Sequence, residues 1–177
     1  MMLNEKDREP DLIGNRSFLR YLHYLAGIFF TAVVLGWYSS QMIISIIPEG
    51  MRQPVTFDTY PGDKWLISFT HSVEKTPVEE YFTVNGVDDL TMTHTRFESF
   101  GWGFPYSIND GRLKKEGNKF ILTMNRPYQE VNLRIASQAM PCIIHNDKKY
   151  NLIKMFGQGT ALKIKVQRRY DYWLDRL

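Results

Sequence analysis

The residues of this chain best suited to chemistry lie in two short stretches. The first is Thr70-His71-Ser72-Val73-Glu74-Lys75-Thr76-Pro77-Val78-Glu79-Glu80, with His94 and Arg96 further along. If His71 and Glu80 lie across from one another on paired strands, and a third strand returns with His94 and Arg96, all four meet at one end of an apolar face. Several readings of that cluster stay open. Glu80 could accept hydrogen bonds from His71 and Arg96 in a polar network that closes the end of a core. Arg96 with a histidine could hold an anion, above all a carboxylate. His71, His94 and Glu80 are ligand types for a divalent metal, although they form no compact ligand motif. Ser72 beside His71 could be a nucleophile, but neighbours on a strand point to opposite faces and no glycine elbow surrounds this serine.

The second stretch runs from Phe97 to Tyr106, and its centre is Phe100-Gly101-Trp102-Gly103-Phe104-Pro105. Two glycines permit turns closed to other residues, and Pro105 stiffens the exit. The alternating aromatics suit either a plug over the end of a β structure or a docking loop. A phosphate loop is excluded, because no helix start, lysine or further glycine follows at the required spacing.

Strands must position both stretches. Past Pro48 the sequence turns to short alternating segments separated by Gly, Pro, Asn and Asp, an all-β pattern. Lys64 to His71 presents Trp65, Ile67, Phe69 and His71 on one face, and Val78 to Val84 presents Val78, Glu80, Phe82 and Val84. Asp88 to Phe97, Lys119 to Met124, Gln129 to Ala136, Cys142 to Asn146, Tyr150 to Met155 and Ala161 to Gln167 follow. Asn85-Gly86, Asn146-Asp147-Lys148-Lys149 and Gly157-Gln158-Gly159 supply turns. About eight short strands imply an antiparallel sandwich or a partly closed barrel. The cluster further requires that His71 pair with Val78, that Val78 face His94 and that Val84 face Asp88. A one-residue slip in either register would undo it.

Ahead of the strands, Tyr21 to Ile47 carries no formal charge apart from a protonatable His23, and exceeds the roughly 20 residues that cross a bilayer. Lys6, Arg8, Arg16 and Arg20 precede it and only Arg52 follows closely, so the positive-inside rule places the N-terminus in the cytoplasm. Val34-Leu35-Gly36 is a poor cleavage site, which favours a signal anchor over a removed signal peptide. Ser39, Ser40 and Gln41 in the outer half suit either a tolerant helix or a face packed on another membrane helix. The expected organisation is a cytoplasmic tail over residues 1–20, a transmembrane helix over 21–47 and an extracytoplasmic β domain over 49–177, outside the cytoplasmic membrane. A net charge of +3 with basic residues scattered among acids argues against nucleic acid as a partner. Cys142 is the single cysteine, so no intramolecular disulfide forms.

Thr70-His71-Ser72-Val73-Glu74 with Pro77 and Glu80, then Ser99-Phe100-Gly101-x-Gly103-x-Pro105, resemble the domain-of-unknown-function 1850 family. The weaker succession of strands ending in Leu162-x-Ile164-x-Val166 extends the resemblance over about Trp65 to Gln167. Trp102 departs from the small residue common between the two glycines. The resemblance implies a setting beside TAXI-type TRAP transporters rather than a reaction. The expected function is therefore a membrane-anchored, non-enzymatic accessory protein of such a transporter. Its partners would be the lipid bilayer and the permease or solute receptor, and no cofactor is expected. The alternative is a tethered extracytoplasmic domain that binds or senses a carboxylate or a metal ion.

Overall fold

The structure, a computed structural model, describes residues 12–50, 53–99 and 111–176. It divides into two units, one ending at Ser40 and the other beginning at Gln41. The first carries helix α1 (Leu12–Ser40). Its segment Phe18–Ser40 is 23 residues long, with a mean hydropathy of 1.6 and none of its most apolar window buried, so it is long and apolar enough to span a membrane.

The helix stops earlier than the expected end at Ile47. After Gln41 the chain enters strand β1 (Met42–Pro48), in which every residue but Ile47 is buried. An unbroken apolar run fits a membrane helix and a strand buried on both faces equally well. Here the isoleucines and Pro48 favour the strand. The expected helix end at residue 47 is therefore corrected to Ser40, and the β domain starts before residue 49.

The second unit is an antiparallel sandwich. One sheet orders β2 (Val55–Thr59), β1, β11 (Ala161–Arg168) and β8 (Glu130–Arg134). The other orders β10 (Lys148–Asn151), β9 (Cys142–His145), β3 (Lys64–Thr70), β4 (Pro77–Gly86), β5 (Asp89–Phe97), β7 (Lys119–Tyr128) and β6 (Arg112–Glu116). Sequence patterning missed three strands. β1 was hidden in the apolar run, while β2 and the fully exposed β6 lack a clear alternation.

Turn chemistry explains the remaining differences. Asn146 and Asp147 both take positive φ, 49° and 59°, as a type I′ hairpin requires, so Lys148 and Lys149 belong to β10 rather than to the turn. Asn85 stays in β4, because its side-chain amide donates across to Asp89 Oδ1 and Thr91 Oγ1, and the reversal falls on Val87-Asp88. Tyr150 to Met155 is not one strand. The Asn151 side chain accepts from Lys154 N–H at 2.9 Å, a helix N-cap, and starts α2 (Leu152–Phe156). That helix sinks Leu152 and Phe156 into the core.

The core lies between the sheets. Met42, Ile44, Ile46, Leu162, Ile164 and Val166 from one sheet meet Trp65, Ile67, Phe82, Val84, Leu90 and Met92 from the other. Helix α3 (Arg169–Leu174) packs against β1 and β11. On that outward side Ile43, Ser45 and Gln167 are buried, and the Gln167 amide donates to Ser45 Oγ at 3.0 Å.

One carboxylate joins the sheets. Between β2 and β3 the chain crosses over through Pro61-Gly62, with Gly62 at φ 90°, and delivers Asp63 to the interior. Asp63 Oδ2 accepts from Thr59 Oγ1 at 2.7 Å and from His145 Nε2 at 2.8 Å, while Oδ1 accepts from Lys64 N–H. Thr59, Asp63 and His145 are all buried. Asp63→Ala would strand a hydroxyl and an imidazole away from water, so it should lower unfolding free energy by roughly 1–3 kcal/mol or more. Denaturant unfolding of the detergent-solubilised chain measures this. A loss below about 0.5 kcal/mol, typical of a surface change, would show that the three groups are not coupled.

Candidate functional site

The structure separates the residues that the assumed registers had brought together. In the β3–β4 hairpin Thr70 pairs with Pro77, and Val78 faces Phe69 instead of His71, a slip of two residues. Residues 71–76 close as their own turn. His71 N–H donates to Thr76 O, Lys75 N–H donates to His71 O, and Glu74 N–H donates to His71 Nδ1 at 3.2 Å. A slip of two preserves the faces, so Glu80 still looks inward with Ile67, but His71 has left the ladder.

The next register differs by an odd step. Phe82 pairs with Met92 and Tyr81 with His94, which leaves Thr93 as an extra residue in a β-bulge. The bulge reverses the alternation of β5. Leu90 and Met92 face inward before it, Thr95 and Phe97 after it, and His94 and Arg96 turn to the outer face. The expected convergence of His71, Glu80, His94 and Arg96 is thus replaced by three separate places.

The turn holds the first of them. Ser72 is exposed, and Ser99 Oγ donates to Glu74 Oε2 at 3.1 Å, which ties the turn to the end of β5. The candidate docking residues Phe100, Gly101, Trp102, Gly103, Phe104 and Pro105 lie outside the described residues, beginning just after Ser99.

On the outer face, the Tyr81 ring stacks on His94 with centroids 4.1 Å apart. Tyr81 Oη donates to Glu79 Oε2 at 2.8 Å and accepts from Arg96 Nη1 at 3.3 Å, with Arg96 and Glu79 also 3.8 Å apart. Burial raises the Tyr81 phenol, and burial followed by the charge of Arg96 lowers His94. Arg96 is therefore engaged with a phenol and an acid on its own face and does not form an anion clamp with His71. The register assumed from sequence had left Glu79 and Tyr81 out, although simple alternation puts them on one face of β4.

Glu80 occupies the third place. It borders a cleft of about 260 Å³ between the sheets, walled by Ile67, Phe69, Val131, Leu133 and Pro141, with Arg134 at the rim. Its carboxyl is half-buried and accepts no hydrogen bond among the described residues. An acid in an apolar cleft is suited to bind a hydrogen-bond donor or a cation. Among the described residues, no three His, Cys, Asp or Glu side chains converge as a metal site would need.

Burial raises the Glu80 pKa above 4.5, and the charge of Arg126 partly opposes this. The native state then holds the proton more tightly than the unfolded chain. Stability from this group is fully present below pH 4.5 and is lost as pH rises through the raised native value. Glu80→Gln, which cannot ionise, should gain stability relative to the wild type over that rise. Unfolding midpoints of both proteins, measured from acid to neutral pH, test it, and a constant difference would mean that water solvates the Glu80 carboxylate.

No curated protein and no solved structure matches this chain. Residues 66–152, which run from β3 through β10, match the model of the family described as domain of unknown function (DUF1850), so the part of the chain bearing His71, Glu80, His94 and Arg96 is similar to that family.

Proposed function

We propose that this protein is a membrane-anchored, non-enzymatic accessory component of a TAXI-type TRAP solute transporter, with its N-terminus in the cytoplasm and its β domain outside. The observation that carries the reading is the exposed apolar helix followed by a connector of one residue, Gln41. The first strand of the β domain thus begins two positions after the last residue of the helix. Within the helix, Thr31, Ser39 and Ser40 hydroxyls donate to the carbonyls of Gly27, Gly36 and Trp37, so these groups are satisfied without water. Ala32, Gly36 and Ser40 recur at four-residue spacing, the small-residue pattern that lets membrane helices approach closely. The transporter setting comes from the family resemblance, which the match over residues 66–152 supports.

Purification of the tagged chain in mild detergent, with companions identified by mass spectrometry, tests the proposal. Permease or solute-receptor subunits should co-purify. Gly36→Leu should reduce their recovery, because a Cβ at Gly36 meets nothing within 4 Å inside this chain and the bulk would be felt only by a partner. Reproducible absence of both subunits from the wild-type preparation would count against the proposal.

The Glu80 cleft favours a second reading, a tethered ligand-binding domain. A ligand at ~100-fold excess over Kd adds about 2.7 kcal/mol of stability, enough to raise the melting temperature visibly. The full chain in detergent should respond to some member of a panel of carboxylates, amines and divalent cations, and Glu80→Gln should abolish that response. A flat panel would remove this reading and leave the accessory role standing.

A further inference from the structure

We infer that α3 lies in the lipid headgroup layer, presenting Tyr170, Trp173 and Leu174 to the bilayer. This rests on the reading of α1 as a membrane span. The three side chains are 43%, 46% and 64% exposed, unusual for an aromatic, an indole and a leucine grouped on one short helix. Their i, i+3, i+4 spacing puts them on a single face. Asp171 and Tyr172, between them in sequence, are half-buried. The exposed face is thus a consistent apolar stripe, and tyrosine and tryptophan are the side chains that concentrate where membrane meets water.

The chain itself supplies the reason why lipid, rather than another protein, is the occupant. Arg169 N–H, in the first residue of α3, donates to the Gln41 carbonyl at 2.9 Å. Gln41 directly follows Ser40, the last residue of the apolar helix. The start of α3 is therefore hydrogen-bonded to the first residue past the proposed span. Arg176 takes no part in the stripe, because its guanidinium donates to Tyr172 Oη and to Gln53 Oε1. In this arrangement α3 is a second contact of the chain with the membrane.

Bromolipid quenching of tryptophan fluorescence tests the inference. The full chain is reconstituted in phosphatidylcholine vesicles with or without bromine on the acyl chain near the headgroup. Wild type is compared with Trp173→Phe, a change at an exposed position that preserves an aromatic ring, and with Trp37→Phe inside the apolar helix. Both substitutions should reduce the quenched fraction. If only Trp37→Phe reduces it, the membrane span stands and the inference about α3 is overturned. If neither does, the inference falls together with the reading on which it rests.

Discussion

A single buried carboxylate holds the two sheets in register. Asp63 takes one hydrogen bond from Thr59 on β2, one from His145 on β9 and one from the backbone of Lys64 at the start of β3. Apolar packing alone is non-directional and tolerates sliding of one sheet over the other. Three directed bonds to one side chain do not, because any slide would leave a desolvated polar group unpaired. The Trp65–Phe82 stack, with centroids 4.6 Å apart, and the Phe57 contacts to His145 and Tyr150 sit beside this hub and inherit its alignment.

Given that alignment, the bulge at Thr93 distributes the chemistry. Without it, alternation along β5 would aim His94 at the core beside Glu80. With it, the core gains Thr95 and Phe97, whereas His94 and Arg96 join Glu79 and Tyr81 outside. On the inner face of β4, Glu80 then lines a cleft between the sheets. One inserted residue thus separates the outer-face network of Glu79, Tyr81 and Arg96 from a carboxyl that has no hydrogen-bond partner among the described residues.

The junction at Gln41 joins the apolar helix to the β domain. β1 is buried on both sides, facing the other sheet through Met42, Ile44 and Ile46, while Ile43 and Ser45 are buried on the side where α3 packs. A strand this apolar is stable in a protein only at the centre of a layered structure. Its pairing with β11 puts Met42 opposite Arg168, so the strand that leads into α3 ends where the chain from α1 enters. Residues 66–152 match the family model, yet β1 and β11, which lie outside that match, supply Met42, Ile44, Ile46, Leu162, Ile164 and Val166 to the shared core, with Val55 and Phe57 of β2 packed against it.

Much of this was legible in the residues themselves. The 2.0-residue alternation from Lys64 to Val84 correctly assigned Trp65, Ile67, Phe69, Val78, Phe82 and Val84 to one inward face, because side-chain direction in a strand is a local property. The all-β class, the antiparallel pairing and an apolar helix long enough to span a membrane were likewise local signals. The boundary at Ser40 was not, since a hydrophobic run reads the same in lipid and in a core, and only the neighbours on each face of β1 decide between them. Nor was the candidate cluster, because a bulge changes which face a residue meets without leaving a mark in composition. The Asp63–His145 contact spans 82 residues of sequence. Each partner alone looked like an ordinary polar residue beside a turn, and only the stacking of the two sheets brought them within hydrogen-bond reach.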